Sequence, residues 1–318
     1  MNVLVFPGQG SQKVGMAKAM VEAFPWAAEM AARTDRLLGR PLSQVCFDGP
    51  EAVLKETTNT QPAIFFASAL LVEALRRAGF AFGAAAGHSL GEYAALYAAG
   101  VASFDDLLRL VDERARAMET ACPSGTGAMA AVMMLPRETL ADACREAADQ
   151  GVCVIANENC PGQLVISGAK AAVAKASQLA QQKGAKRVIP LEVSGPFHSP
   201  LMGAARDRLA TVLATVPFAD ARVPVYTNVD TLPTTRAADL KAKLLDQLTG
   251  AVRWEGTVQR LWADGFRTFV ELGAGKVVGP LVKKTVAEAA IAFASDPASL
   301  QALTAPAAAA PQTSATQA

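Results

Sequence analysis

Strands alternating with helices along most of the 318 residues predict an α/β protein built on a mostly parallel sheet with helices on both faces. Three observations point there. Short apolar runs recur between helix-patterned stretches. A Gly-x-Ser-x-Gly turn joins one such run to a helix. A central block of different rhythm interrupts the alternation, as an inserted smaller unit would. The length allows a large core and more than one substructure.

The chain opens with Met1 to Phe6, a strand that runs into Pro7-Gly8-Gln9-Gly10-Ser11-Gln12. A dinucleotide fingerprint needs a third glycine where Lys13 stands, and a phosphate loop needs Lys-Ser/Thr where Gly15 is followed by Met16. This glycine-rich loop is therefore not a nucleotide motif, although its free N–H groups suit an oxyanion hole. Ala63 to Arg77 is helical, with Phe65, Ala69, Val72 and Leu75 on one apolar face. Phe80 to Ala86 is a short, alanine-heavy buried strand. Glu92 to Ala99 is a helix ended by Gly100.

Gly127 to Leu135 is strand-like, and Pro136 to Gln150 is a helix with proline in its first turn. Val152 to Ala156 and Gln163 to Ser167 are strands separated by a turn-rich loop, Asn157 to Gly162. Lys170 to Lys183 is helical and Lys186 to Val193 a strand. The order βαββαβ is the ferredoxin-like pattern. Beyond it, Ser199 to Val216 is a helix, Val223 to Val229 a strand, Leu240 to Leu248 a helix and Thr268 to Leu272 a strand. The expected organisation is a discontinuous, α/β-hydrolase-like large domain over 1–124 and 194–296, with a ferredoxin-like subdomain over 125–193. Residues 297–318 form a low-complexity tail too rich in Ala, Pro, Gln, Ser and Thr to bury a core.

Composition excludes several classes. Hydrophobic residues make up 51% and charged residues 19%, and the net charge is +1, without the footprint of a nucleic-acid binder or a polybasic anchor. Basic spots at Lys183, Lys186 and Arg187, and at Lys283 and Lys284, are solvated surface or a docking face for an acidic partner. No basic leader precedes the first strand, and no apolar run reaches the roughly 18 residues needed to span a bilayer. Five cysteines (Cys46, Cys122, Cys144, Cys153, Cys160) lack metal-type spacing, so the expectation is no metal, and buried thiols in a reducing cytoplasm.

Ser89 lies at the centre of Gly87-His88-Ser89-Leu90-Gly91, in the strand–turn–helix setting of a nucleophile elbow. A serine capping a helix after a glycine turn is the alternative. A serine nucleophile needs a base, and the chain holds two histidines, His88 and His198. His88, bonded to Ser89 on a tight turn, points elsewhere, which leaves His198. That residue sits in a Gly- and Pro-rich loop at the junction between the two expected domains. About 120 residues follow it, whereas the histidine of an α/β-hydrolase usually lies near the C-terminus.

Phe6 to Gln12, Gly87 to Gly91 and Pro196-Phe197-His198 occur in the order seen in malonyl-CoA:acyl-carrier-protein transacylases, which the chain resembles from Met1 to about residue 290. Asn59 to Pro62 and Asn228-Val229 also look like that family. The resemblance implies that Ser89 carries the malonyl group as an ester and that His198 is general base and then general acid. It further implies that the backbone carbonyl of Gln247 orients His198, and that the N–H groups of Gln9 and Leu90 form the oxyanion hole. Arg114 matches the arginine that binds the free carboxylate of malonate, with Arg116 the competing candidate. Gln61 borders the site or packs beneath it, and His88 supports the elbow. In related polyketide acyltransferases a phenylalanine at the position of Phe197 accompanies malonyl rather than methylmalonyl use. The implied enzyme is a monomer that takes malonyl-CoA as substrate, needs no cofactor and serves an acyl carrier protein of fatty-acid or polyketide synthesis. A serine hydrolase that clears acyl groups from carriers is the alternative, and Arg114 discriminates against it.

Overall fold

The computed structural model describes residues 1–123 and 125–305. Its strands are β1 (Asn2–Phe6), β2 (Ala84–Gly87), β3 (Gly127–Met133), β4 (Cys153–Cys160), β5 (Gln163–Ala169), β6 (Arg187–Pro190), β7 (Val225–Tyr226), β8 (Pro233–Thr234), β9 (Thr268–Leu272) and β10 (Ala290–Ala294). One sheet has the order β10-β9-β1-β2-β7-β8 and is parallel except at the edge pair β7–β8. A separate antiparallel sheet has the order β4-β5-β3-β6.

Alternation along the strands distributes the core. Leu4, Phe6, Ala85, Val270 and Leu272 join the larger hydrophobic cluster on one face of the parallel sheet, while Val3, Val5, Ala84, Ala86 and Phe269 face the second cluster. Both faces are covered, as a parallel sheet requires. The antiparallel sheet divides in the same way. Ala130, Val132, Leu164 and Ile166 pack under its own helices, whereas Met129, Ala131 and Val165 face the larger core.

Several elements depart from the sequence expectation. The helix expected over 63–77 spans Thr57–Arg77, and most of its residues from Thr57 to Val72 are buried rather than one face alone. The strand expected over 80–86 shrinks to β2, because Gly79 at φ 67° and the Phe80 N–H, bonded to the Leu75 carbonyl at 3.0 Å, terminate that helix. The turn-rich segment 157–162 is mostly strand. The backbones of Ala156 and Glu158 bond Val252 at 2.8 and 2.9 Å, which extends β4 to Cys160 through two register shifts. The strand expected over 223–229 contracts to β7, because the chain turns at Thr227, whose carbonyl accepts from Thr231 N–H.

Residues 297–304, assigned above to the tail, form the helix Pro297–Thr304. Asp296 and Ser299 make a reciprocal cap at its start, and Leu300 is buried. The cap and one anchored leucine supply what composition could not show. The tail from 306 onward lies outside the described residues.

Candidate active site

The site gathers at the carboxyl ends of three neighbouring parallel strands, β1, β2 and β7, the usual ligand position in open α/β sheets. Gln9 follows β1, Ser89 follows β2 and Asn228 follows β7. The elbow is possible because its flanks are glycine. A Cβ on Gly87 would lie 1.9 Å from the Gly91 carbonyl carbon, and one on Gly91 would lie 2.3 Å from the Phe6 carbonyl oxygen. Ser89 itself has φ 51°, a left-handed conformation that an L-residue resists. This raises its hydroxyl ahead of the helix Gly91–Ala98.

Ser89 Oγ lies 2.7 Å from His198 Nε2, although the residues are 109 positions apart in the chain. His198 Nδ1 lies 2.8 Å from the backbone carbonyl oxygen of Gln247. A carbonyl only accepts, so Nδ1 carries the proton and Nε2 is left with the lone pair that takes the serine hydroxyl. Burial, and next the Arg114 charge, pull the His198 pKa down to about 3, against the opposing carbonyl contact. The resting imidazole is therefore neutral.

Arg114 lies on the helix Phe104–Thr120 and is 1% exposed. Its Nη1 donates to Gln61 Oε1 at 2.6 Å, and its Nη2 donates to Gln247 Oε1 at 3.1 Å and Ser89 Oγ at 3.2 Å. The guanidinium also stands over the Tyr93 ring at 5.5 Å, and its Nε has no partner. No carboxylate pairs with it among the described residues. Arg116, two residues on, is 45% exposed and paired with Asp112 at 2.8 Å on the outside of the helix. Positions two apart do not share a helix face, which separates the two arginines.

A cleft of about 620 Å³ between the two sheets is lined by Gln9, Ser89, Leu90, Arg114, Phe197 and His198. From the small sheet Met129, Val165, Asn157 and Asn159 close the opposite wall. Neither the Gln9 nor the Leu90 backbone N–H has a hydrogen-bond partner among the described residues. The Pro7–Gln9 loop crosses so close to the elbow that a Cβ on Gly8 would lie 2.5 Å from the His88 carbonyl oxygen. His88 turns away from Ser89, with Nε2 2.8 Å from Asn159 Oδ1 and its ring 5.8 Å from that of Trp254. The structure thus brings Gln9, Ser89, Leu90, Arg114, Phe197 and His198 to one cleft, sets Gln247 and Gln61 behind Arg114, and leaves Arg116 outside.

Sequence reasoning missed the polar residues behind the nucleophile. Glu92 read as a helix former; it is a fully buried carboxyl whose Oε2 accepts from Asn228 N–H and Gln247 Nε2. Burial pushes its pKa up to about 7, against those two donors and Arg114. Asn159 fell within an expected loop. The available signal was its place, two residues after Asn157, directly beyond the apolar run Val152 to Ala156. Among the described residues no group of three or more His, Cys, Asp or Glu side chains could hold a metal ion, and no helix is long and apolar enough to cross a membrane.

Comparison with known proteins supplies the class first: residues 3–307 match the acyl transferase domain family. The chain is 44% identical over 298 residues to the malonyl CoA-acyl carrier protein transacylase of Bacillus subtilis, covering 93% of this chain and 94% of the relative. It is 42% identical to that of Escherichia coli K12, covering 94% of this chain and 97% of the relative. An acyl carrier protein S-malonyltransferase from Vibrio cholerae superposes with a TM-score of 0.92 at 40% identity, covering 95% of this chain and 99% of that one. A malonyl-transacylase solved in complex with its type II PKS acyl-carrier protein gives 0.91 at 40% identity, covering 94% and 97%. The chain belongs to the malonyl CoA-acyl carrier protein transacylase family.

Proposed function

We propose that the protein transfers the malonyl group of malonyl-CoA to the phosphopantetheine thiol of an acyl carrier protein, through a malonyl ester on Ser89. One observation carries this reading. A buried guanidinium with no carboxylate of its own sits 3.2 Å from a serine hydroxyl that is 2.7 Å from a neutral imidazole. Among the described residues no carboxylate pairs with that guanidinium, and the acyl group supplies one.

Ser89 Oγ attacks the thioester carbonyl carbon while His198 Nε2 takes the hydroxyl proton. The negative charge on the carbonyl oxygen meets the free N–H groups of Gln9 and Leu90; losing one such donor typically weakens transition-state stabilisation by roughly 3 kcal/mol. Collapse breaks the C–S bond, and His198 returns the proton to the CoA sulfur. The carrier thiol then repeats the sequence in reverse, giving its proton to His198 as its sulfur attacks the ester. A thioester is exchanged for an ester and then for a thioester, so the chemistry is nearly balanced and draws on no cofactor. Arg114 offers a planar, permanently charged fork to the malonyl carboxylate. Gln247 orients His198, and Phe197 fills the cleft wall where an α-methyl group would go.

Incubation with malonyl-CoA and holo-carrier should shift the carrier mass by one malonyl group, and Ser89→Ala should abolish covalent labelling. Free malonate in place of malonyl-carrier would favour the carrier-directed hydrolase. The small sheet's strand–helix–strand–strand–helix–strand sequence supports a ferredoxin-like insert over 125–193 in a hydrolase-like domain over 1–124 and 194–296. The five free thiols of the chain fit a reducing cytoplasm. We also propose a monomer, for which light scattering should give a mass near 33.0 kDa.

A further inference from the structure

Two side chains hold the left-handed backbone at Ser89: Gln247 Nε2 donates to its carbonyl oxygen at 3.1 Å, and Asn228 grips its N–H side. Asn228 Oδ1 accepts from the Ser89 N–H at 2.7 Å, and Asn228 Nδ2 donates to the Gly87 carbonyl oxygen, also at 2.7 Å. The two bonds grip the elbow on both sides of His88. A primary amide is the group that can do both, since it accepts through oxygen and donates through nitrogen. Asn228 is 0% exposed, so water does not substitute for either bond.

Asn228 is itself fixed. Its N–H donates to Glu92 Oε2 at 3.0 Å and its carbonyl accepts from Arg253 N–H at 3.0 Å. Glu92 Oε2 also accepts from Gln247 Nε2 at 2.9 Å. Gln247 in turn holds Arg114 through its side chain and His198 through its carbonyl. One buried carboxyl therefore ties the grip on Ser89 to the seats of the base and the guanidinium.

We infer that Asn228 is a positioning residue for acyl transfer, clamping Ser89 in its raised conformation, with Glu92 fixing that clamp relative to Gln247. The inference rests on Ser89 being the nucleophile. Left-handed backbone at a non-glycine residue is strained and persists where surrounding contacts enforce it. Without the clamp the elbow relaxes and the hydroxyl leaves the line between the imidazole and the carbonyl carbon, while the carboxylate seat stays intact.

The test is the single-turnover rate of Ser89 acylation by radiolabelled malonyl-CoA, with malonyl-CoA affinity measured in a Ser89→Ala background. Asn228→Ala should slow acylation about a hundredfold, the scale of an ångström-sized misplacement, and leave affinity within about threefold. Asn228→Asp keeps an acceptor for the Ser89 N–H and can donate to the Gly87 carbonyl only when protonated. It should recover activity near about pH 5.5 and lose it toward pH 8, beyond any slope of the unaltered enzyme; a scaffold role would not move that profile. If Asn228→Ala does not fold, this pH profile alone decides. Acylation within threefold of normal in folded Asn228→Ala, equal losses of rate and affinity, or an Asn228→Asp profile like that of the unaltered enzyme would each overturn the clamp while leaving Ser89 as nucleophile. Label retained by Ser89→Ala would overturn the nucleophile and the clamp together.

Discussion

Arg114→Ala separates carboxylate recognition from acyl transfer. In the free protein the guanidinium bonds three neutral oxygens, on Gln61, Gln247 and Ser89, and its Nε is unpartnered among the described residues. A malonyl carboxylate would replace some of these with charge-assisted bonds, each worth roughly 1.5–3 kcal/mol. Two such bonds set the expected loss of kcat/KM for malonyl-CoA at about 10²- to 10⁴-fold. Acetyl-CoA presents no carboxylate, and any transfer from it should change by no more than about threefold. The charge also helps hold the His198 pKa down, so the variant should move the acid limb of acetyl transfer to higher pH. Arg114→Lys keeps the charge without the fork and should recover part of the malonyl loss. The assay is kcat/KM for both thioesters across pH, measured on protein shown to be folded. Equal fractional losses on malonyl and acetyl groups would refute the assignment, because a carboxylate seat cannot affect a substrate that lacks one.

Three further outcomes are expected. His198 has a folded pKa of about 3 against an ordinary 6.5, so the unfolded chain takes up a proton that the native state refuses. Stability should then be lost as pH falls from about 6.5 toward 3, by a few kcal/mol; buried His88, also shifted down, acts in the same direction. Unfolding midpoints at neutral and acid pH should diverge less in His198→Gln, and equal acid sensitivity would place the effect elsewhere. Phe197→Ala should raise the methylmalonyl-to-malonyl ratio of kcat/KM about tenfold, within the 1–3 kcal/mol that one methyl group is worth; an unchanged ratio would assign the size limit to another wall. Gly91→Ala drives a Cβ into the Phe6 carbonyl and should destabilise the fold by roughly 1–3 kcal/mol, read by denaturant unfolding.

The chemistry was far more legible in the sequence than its support. Two histidines, one of them adjacent to the serine, left a single candidate base, and the glycines around Ser89 marked a turn that side chains would block. Catalytic residue types are few, so Ser89 and His198 could be matched by chemistry although they lie 109 positions apart. Glu92 gave no such signal, and Asn228 gave only a likeness of motif without a role, because a buried asparagine or glutamate takes its partners from strands and helices remote in the chain.

By itself the sequence determined the α/β alternation, the elbow and the Ser89–His198 pairing, since periodicity and residue chemistry are written along the chain. Tertiary structure decided where β2 stops and β4 continues, and that residues 297–304 fold as a capped helix. It also left Arg114, rather than Arg116, buried with no paired carboxylate among the described residues. Those outcomes depend on which backbone and which carboxylate arrive from elsewhere, and pairing across long separations has no local signature.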